Sequence, residues 1–264
     1  MVPQRSWRKP PFISNPRLRW GIYIGSAIYL VLAVGTMEIN WVRVIDGIPR
    51  GHRFIASFFP PDLTSRWAEI LDGLYESLWM TVTSTVIGVA ISVPVGLGAA
   101  RNLAPLPVYL ICRAIVALSR TFPEVILAIF FVKLFGFGPF AGFLALSVAT
   151  VGFYGKLLAE DIEDMDPDQA EAVKATGASW FQWLNYSVQP QVMPRMIGLA
   201  MYRLDINFRE SAVVGIVGGG GIGATLLTAF DRYEFESAAT ILLVIIAIVM
   251  TLEYGSSWIR KAVQ

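Results

Sequence analysis

One cysteine, Cys112, and one histidine, His52, are all that 264 residues supply of the side chains that most often build metal centres. A single cysteine excludes an intrachain disulfide, and neither residue has partners from which a metal-ligand set can be drawn. Charge is scarce too: Asp, Glu, Lys and Arg make up 16% of the chain against 55% apolar residues, with mean hydropathy +0.57. Soluble domains carry about 25% charged residues, so this composition excludes an ordinary soluble globule and indicates a multi-spanning membrane protein. An integral-membrane enzyme is disfavoured as well, because no Ser-His-Asp or His-Glu set can be assembled around His52. Neither a metal nor nucleic acid is expected as a partner. The net charge of +1 is uninformative as a total. In a membrane protein the division of basic residues between the two sides carries the information.

What the chain has is long apolar runs. Crossing a bilayer takes about twenty predominantly apolar residues. Six segments qualify: Trp20–Met37, Leu78–Ala100, Val108–Phe135, Phe140–Ala159, Pro194–Val217 and Ala238–Ile259. They predict an all-α membrane protein with about six transmembrane helices, forming a single transmembrane domain over 1–264 with no soluble module. The third segment is long and is expected to bend or break near Pro123. The first follows a basic stretch, as a signal peptide does, but its apolar run exceeds a signal peptide's core and it reads as a span.

Six crossings put both termini on one side. With the N-terminus inside, that side holds Arg5, Arg8, Lys9, Arg17, Arg19, Arg101, Lys156, Lys174, Arg195, Arg260 and Lys261. The other side holds Arg43, Arg50, Arg53, Arg66 and Arg232. The positive-inside rule therefore predicts cytoplasmic termini. The longest outer connection, Glu38 to Ser77, is too short for a domain, and its Phe and Trp residues suggest an amphipathic stretch against membrane lipid.

Between the apolar runs lies a short polar helix at about 166–177. Asp166 suits its N-cap, Pro167 the first helical position, Gln169 a capping-box partner and Gly177 the left-handed stop. About ten residues of helix are too few to be stable alone in water, so this element needs a partner surface. The topology puts it in the cytoplasm.

The fifth span carries charges where a span normally has none. A helix from Pro194 to Val217 is about 36 Å long, placing Arg203 and Arg209 roughly 13 Å and 22 Å from its inner end. A cation near the middle of a span costs about 2.5 to 3.5 kcal/mol, so these residues face a polar cavity or a partner rather than lipid. Arg203, Asn207 and Glu210 share one helix face, and Asp205 and Arg209 another. Asp205 and Arg209 can neutralise one another within the helix or join the lining of a polar route. Arg203 and Asn207 are the better candidates to line an anion route, because guanidinium forks and amide donors suit oxyanions. Arg120, Glu124 and Lys133 on the third span can complete that lining, although Lys133 can equally snorkel from a span end.

The glycine run Gly218, Gly219, Gly220 and Gly221 follows this span. It lacks the Gly-Lys-Ser/Thr of a nucleotide-binding loop. It reads either as an outer gate, where glycine permits close helix approach, or as a tight turn.

The residues Glu171-Ala172, Gly177, Val188-Gln189-Pro190 and Pro194 resemble the cytoplasmic EAA loop of permease subunits in binding-protein-dependent ABC importers. The run from Tyr202 to Glu210, the segment Val217 to Gly223, Gly138 to Gly142 and Gly155 to Glu160 look like the permeases of phosphonate importers, over a stretch from Leu78 to the end. The resemblance implies a type I ABC importer permease fold, like that of methionine permeases. It makes the 166–177 helix a coupling helix, with Asp168, Glu171, Ala172, Thr176 and Gly177 facing a separate ATPase. It further implies an ATPase dimer that binds ATP and Mg, no cofactor in this chain, a periplasmic or extracellular solute-binding protein, a second permease copy in a homodimer, and a bacterial inner membrane. The implied cargo is a phosphonate or a related phosphorus oxyanion such as phosphite. Methionine or another small solute stays open, because the glycine and EAA-like signals are shared with methionine permeases.

Overall fold

The computed structural model describes residue 13, residues 15–37 and residues 39–263, with side chains as far as Trp258. Arg5, Arg8, Lys9, Glu38 and the side chains of Arg260 and Lys261 lie outside the described residues. The chain divides into two compact units, Met1–Ala56 and Ser57–Gln264.

The first unit holds α1 (Pro16–Thr36) and α2 (Trp41–Ala56). Asn15 caps α1 by accepting the Arg17 N–H, and Pro16 sits in the first turn, where its missing donor costs nothing. The 21 residues of α1 span about 31 Å, the thickness of a bilayer core. The connector to α2 is only 37–40. On α2, Trp41, Val44, Ile45, Ile48 and Ile55 form one stripe, and Arg43, Asp46, Arg50 and Arg53 the opposite one. This helix is the amphipathic stretch expected after the first span.

The second unit is a helical bundle. It comprises α3 (Trp67–Ala99), α4 (Leu106–Thr121), α5 (Glu124–Phe135), α6 (Pro139–Glu163), α7 (Pro167–Ala175), α8 (Trp180–Trp183), α9 (Gln189–Val214), α10 (Ile222–Asp231) and α11 (Phe235–Val263). Among the described residues, α1, α3, α6 and α11 are each long and apolar enough to cross a membrane, and two bent pairs raise the number to six. The third span is broken as expected: α4 and α5 meet at 92°, with Phe122 and Pro123 extended between them. Proline disfavours helix at the residue before it, so the break belongs to Pro123.

Helices α3 and α6 run side by side in the same direction. Gly88 and Gly96 make this approach possible, since a Cβ would lie 2.5 Å from Thr150 at the first and 2.7 Å from Leu158 at the second. Ser92 and Thr85 satisfy their hydroxyls on the backbone of their own helix, donating to Gly88 O and Thr81 O. Tyr154 of α6 donates to Met196 O of α9. Around these contacts the core falls into clusters. One, with Ala100, Tyr154, Leu158, Ile162 and Val188, lies at the α7 end. Another, with Ile70, Phe208, Ile222 and Ile241, lies at the opposite end. Leu243, Ile246, Met250 and Tyr254 of α11 stay exposed, as a lipid-facing stripe requires.

Two spans differ from expectation at their ends. Helix α3 starts at Trp67 instead of Leu78, because Glu69, Asp72 and Glu76 extend it beyond the apolar window that marks a span. The fifth span starts as helix at Trp180, and Pro194, its expected start, lies inside α9. A π-helical turn at Leu184–Val188 carries the chain through, with the Gln189 N–H donating to Leu184 O. Pro190 then falls in the first turn of α9, where it is tolerated.

Candidate functional site

Arg203 is the centre of a polar cluster inside the bundle. Its residue exposure is 2%, and its contacts come from α5 and α6. Nε donates to Thr150 Oγ1 of α6 at 3.0 Å, and Nη2 to Glu124 Oε1, on the first residue of α5, at 3.5 Å. The guanidinium carbon lies 5.4 Å from the Phe153 ring centroid. Thr150 passes its own proton to Leu146 O and accepts from Asn207 Nδ2 at 3.1 Å. Asn207 also donates to Thr85 Oγ1 of α3 at 2.8 Å.

Asn207 was expected beside Arg203 and is there, but it has no exposed surface. Its amide donates to Thr85 and Thr150, so it ties α3 and α6 to α9. Glu210 shares the Arg203 face of α9 but is not its hydrogen-bonded carboxylate. That carboxylate is Glu124, one of the third-span candidates, because the break at Pro123 starts α5 against α9.

Asp205 and Arg209 pair within α9, one of the two readings their spacing allowed. Asp205 is buried, with Oδ1 lacking a partner, while the Arg209 side chain is half exposed. Glu210 is half-buried. Arg120 lies with its stem on Gly152, where a Cβ would come within 2.8 Å of its Cγ, and its head is exposed. Lys133 is exposed in the last turn of α5, away from the Arg203 contacts.

The glycine run forms the break in the second bent pair. A π-helical turn at Gly215–Gly219 ends α9, and α10 leaves at 56°. Gly218, Gly220 and Gly221 have φ of 101°, 75° and 75°, values that favour glycine. The run is thus a turn in its backbone, and it is packed: the Gly138 N–H donates to Gly218 O, and a Cβ on Gly220 would lie 2.8 Å from Pro139 N. Glu76 Oε2 accepts the Gly221 N–H at 2.6 Å, and Ser77 Oγ accepts the Ile222 N–H at 2.9 Å. These two side chains of α3 satisfy the start of α10, which has no capping side chain of its own.

At the other end of the bundle, α7 has the expected termini. Asp166 accepts the Asp168 N–H at 3.0 Å, and Gly177 takes φ +79°. The capping-box partner is not Gln169. The Asp166 N–H donates to Gln191 Oε1 of α9 at 2.9 Å, so the donor expected to be satisfied locally ties α7 to the fifth span. The reciprocal capping box occurs one element later, between Ser179 and Gln182. Ala170 is the buried residue of α7, and its carbonyl accepts Trp183 Nε1–H at 3.1 Å. Lys174 lies 4.2 Å from the Trp183 ring centroid. With α7 seated on this side, Asp168, Glu171, Ala172, Thr176 and Gly177 are all exposed. Ala172, Thr176 and Gly177 line an open groove with Gln182 and Tyr186.

Sequence reasoning missed the acidic face of α3. Glu69, Asp72 and Glu76 line a groove with Thr225 and Thr228 of α10. Their i, i+3, i+7 spacing was the available signal. Arg66 closes one side, paired with Glu69 and with Glu234 at 2.8 Å. The Glu69 hydrogen bond leads in raising the Arg66 pKa above its ordinary value. Nearby, hydrogen bonds from Ser65 and Thr64 hold the Asp62 carboxyl far below the usual range. Among the described residues no group of three His, Cys, Asp or Glu side chains is placed to hold a metal ion.

Residues 92–264 match the family described as "Binding-protein-dependent transport system inner membrane component". The chain is 36% identical over 245 residues to the phosphate-import permease protein PhnE of Mycolicibacterium smegmatis, covering 91% of this chain and 45% of that protein. This chain therefore spans less than half of that relative. It is 39% identical over 241 residues to the phosphite transport system permease protein PtxC of Stutzerimonas stutzeri, covering 91% of this chain and 86% of that one. Among solved structures it is similar to a chain of the inward-facing MetNI methionine ABC transporter, with TM-score 0.66 and 26% identity over 74% of this chain and 96% of that one.

Proposed function

Because the chain belongs to the family of inner membrane components of binding-protein-dependent transport systems, we propose that it is the permease that passes a phosphorus oxyanion, phosphonate or phosphite, across the membrane. The observation that carries the cargo class is Arg203, a guanidinium sealed within a membrane bundle and held by a carboxylate from the break in another span. Guanidinium is the side chain best matched to phosphorus oxyanions, and burying one without an anionic partner is costly. The names of the similar permeases, for phosphate and phosphite, support the same class.

In this reading Arg203 and Glu124, flanked by Arg120, Arg209 and Glu210, form the cationic step of the route, with Asp205 moderating Arg209. A half-exposed Arg209 within a span does not face lipid at low cost, so a second copy of the chain would cover it and close the route between the two protomers. The exposed face of α7, with Asp168, Glu171, Ala172, Thr176 and Gly177, would seat on a partner ATPase dimer that binds ATP and Mg. The termini and α7 would then be cytoplasmic, and the glycine break would face the solute-binding protein outside. The hydrogen bond from the α7 N-cap Asp166 to Gln191 of α9 would pass ATPase motion to the helix bearing Arg203.

The test is substrate-stimulated ATP hydrolysis by the complete transporter in lipid nanodiscs, with its binding protein loaded in turn with methylphosphonate, phosphite or methionine. Stimulation by the phosphorus compounds supports the reading. Stimulation by methionine alone would move this chain to the alternative cargo, which the fold similarity to the methionine importer keeps in view.

A further inference from the structure

We propose that Glu124 is the built-in stand-in for the transported anion: it holds Arg203 while the route is empty and is displaced when a phosphorus oxyanion arrives. The inference rests on the cargo class proposed above and names the residue that sets how tightly that cargo is held.

Arg203 has two hydrogen-bond partners, and they differ in accessibility. Thr150 is fully buried, and its hydroxyl is already committed to Leu146 O and Asn207. The Glu124 side chain keeps 28% of its surface exposed. An anion approaching Arg203 along hydrogen-bonding groups therefore comes from the side Glu124 occupies. The contact it must replace is weak in geometry. Glu124 Oε1 stands 3.5 Å from Nη2, with only one guanidinium nitrogen engaged, whereas Arg113–Glu163 and Arg66–Glu234 close to 2.7 Å and 2.8 Å. A tetrahedral oxyanion can take two guanidinium donors at once, which this carboxylate does not.

Exchange also avoids the expense of an unpaired charge. A buried guanidinium stripped of its only hydrogen-bonded carboxylate is strongly disfavoured, so release of Glu124 and arrival of the anion are coupled steps. When the anion leaves, Glu124 returns and the site does not retain its cargo. That meets the requirement that a conducting site bind weakly enough to empty. Glu124 is placed to move because it is the first residue of α5, directly after the extended pair Phe122 and Pro123. At its other end α5 packs toward the glycine break, where a Cβ on Gly218 would lie 3.5 Å from Val132. Displacing Glu124 thus frees one end of a rigid rod whose far end touches the turn between α9 and α10.

The experiment compares the wild-type transporter with Glu124→Gln and Glu124→Asp, each assembled with its ATPase in nanodiscs. Equilibrium binding of labelled methylphosphonate is measured without binding protein, and ATP-driven uptake is measured in proteoliposomes. The glutamine keeps the shape and removes the competing charge, so methylphosphonate should bind about tenfold more tightly or better while maximal uptake falls, because release slows. The aspartate keeps the charge but withdraws it by one methylene, and should lie between the two. Should the glutamine variant fail to assemble, the aspartate variant alone decides by the same ordering. Uptake by the wild type with unchanged or weaker binding in the variants overturns the stand-in role and leaves the permease reading intact. No uptake of phosphite or methylphosphonate by the wild type would overturn the cargo reading itself.

Discussion

At the scale of single residues, the buried polar side chains divide into those that exchange partners and those that hold the bundle together. Arg203 serves Thr150 and Glu124 through different nitrogens of one planar group. Lysine cannot reproduce that fork, so Arg203→Lys should cut phosphorus-oxyanion uptake strongly in a protein that still inserts and assembles. Asn207 belongs to the second kind. Asn207→Ala removes the Thr85 donor and one of the two donors to Thr150 in a sealed site and should cost about 1–3 kcal/mol, read as a lower Tm of the purified permease. An unchanged Tm with a raised KM would return Asn207 to the anion route. Asp62 makes a pH prediction. Its folded pKa lies below the unfolded value of about 3.9, so its contribution is complete above that value and is lost as pH falls below it. Hydrogen exchange of the Thr64 and Ser65 amides, which Asp62 accepts, should therefore quicken as pH drops below about 4, after correction for intrinsic rates, and Asp62→Asn should reduce that dependence. The charged run of α9 was legible because a cation inside a span needs an explanation wherever it occurs. Glu124 was legible as a candidate for the lining, but its pairing with Arg203 was not, since the two lie 79 residues apart and meet only through the break at Pro123.

At the scale of elements, the two ends of the bundle carry opposite devices. Helix α7 is seated by one buried alanine, one tryptophan hydrogen bond and one bond to α9, leaving its polar face free. Gly177 ends it at φ +79° with open space around the Cα. A β-branched side chain there is strained by about 1–2 kcal/mol without meeting a neighbour, so Gly177→Val should insert normally yet uncouple ATP hydrolysis from uptake. Unchanged coupling would remove Gly177 from the ATPase contact. Gly220 is the harsher position, with a positive φ and Pro139 backbone 2.8 Å from the site of a Cβ. Gly220→Ala should lower both Tm and uptake, and a neutral result would show that this turn rearranges freely. Most spans could be read from apolar runs, and the break at Pro123 from proline chemistry. Helix α10 could not: only ten residues follow four glycines, and Glu76 and Ser77 of α3 satisfy its first amides from across the fold. The early starts of α3 and of the fifth span were hidden for a related reason, since acidic residues and prolines lie outside an apolar window but do not stop a helix that has partners.

At the scale of the whole molecule, the proposed permease combines a membrane bundle, a docking helix and an anion step. Family membership and the methionine-permease-like fold stand on the similarity itself. In the proposed function, cargo passes by way of Arg203. Its most direct test is ATP-dependent uptake of a labelled phosphonate into proteoliposomes holding this chain with its ATPase and binding protein, compared with Arg203→Ala of equal insertion and assembly. The parent should take up the phosphonate and the variant should not. Equal uptake by both would contradict that route.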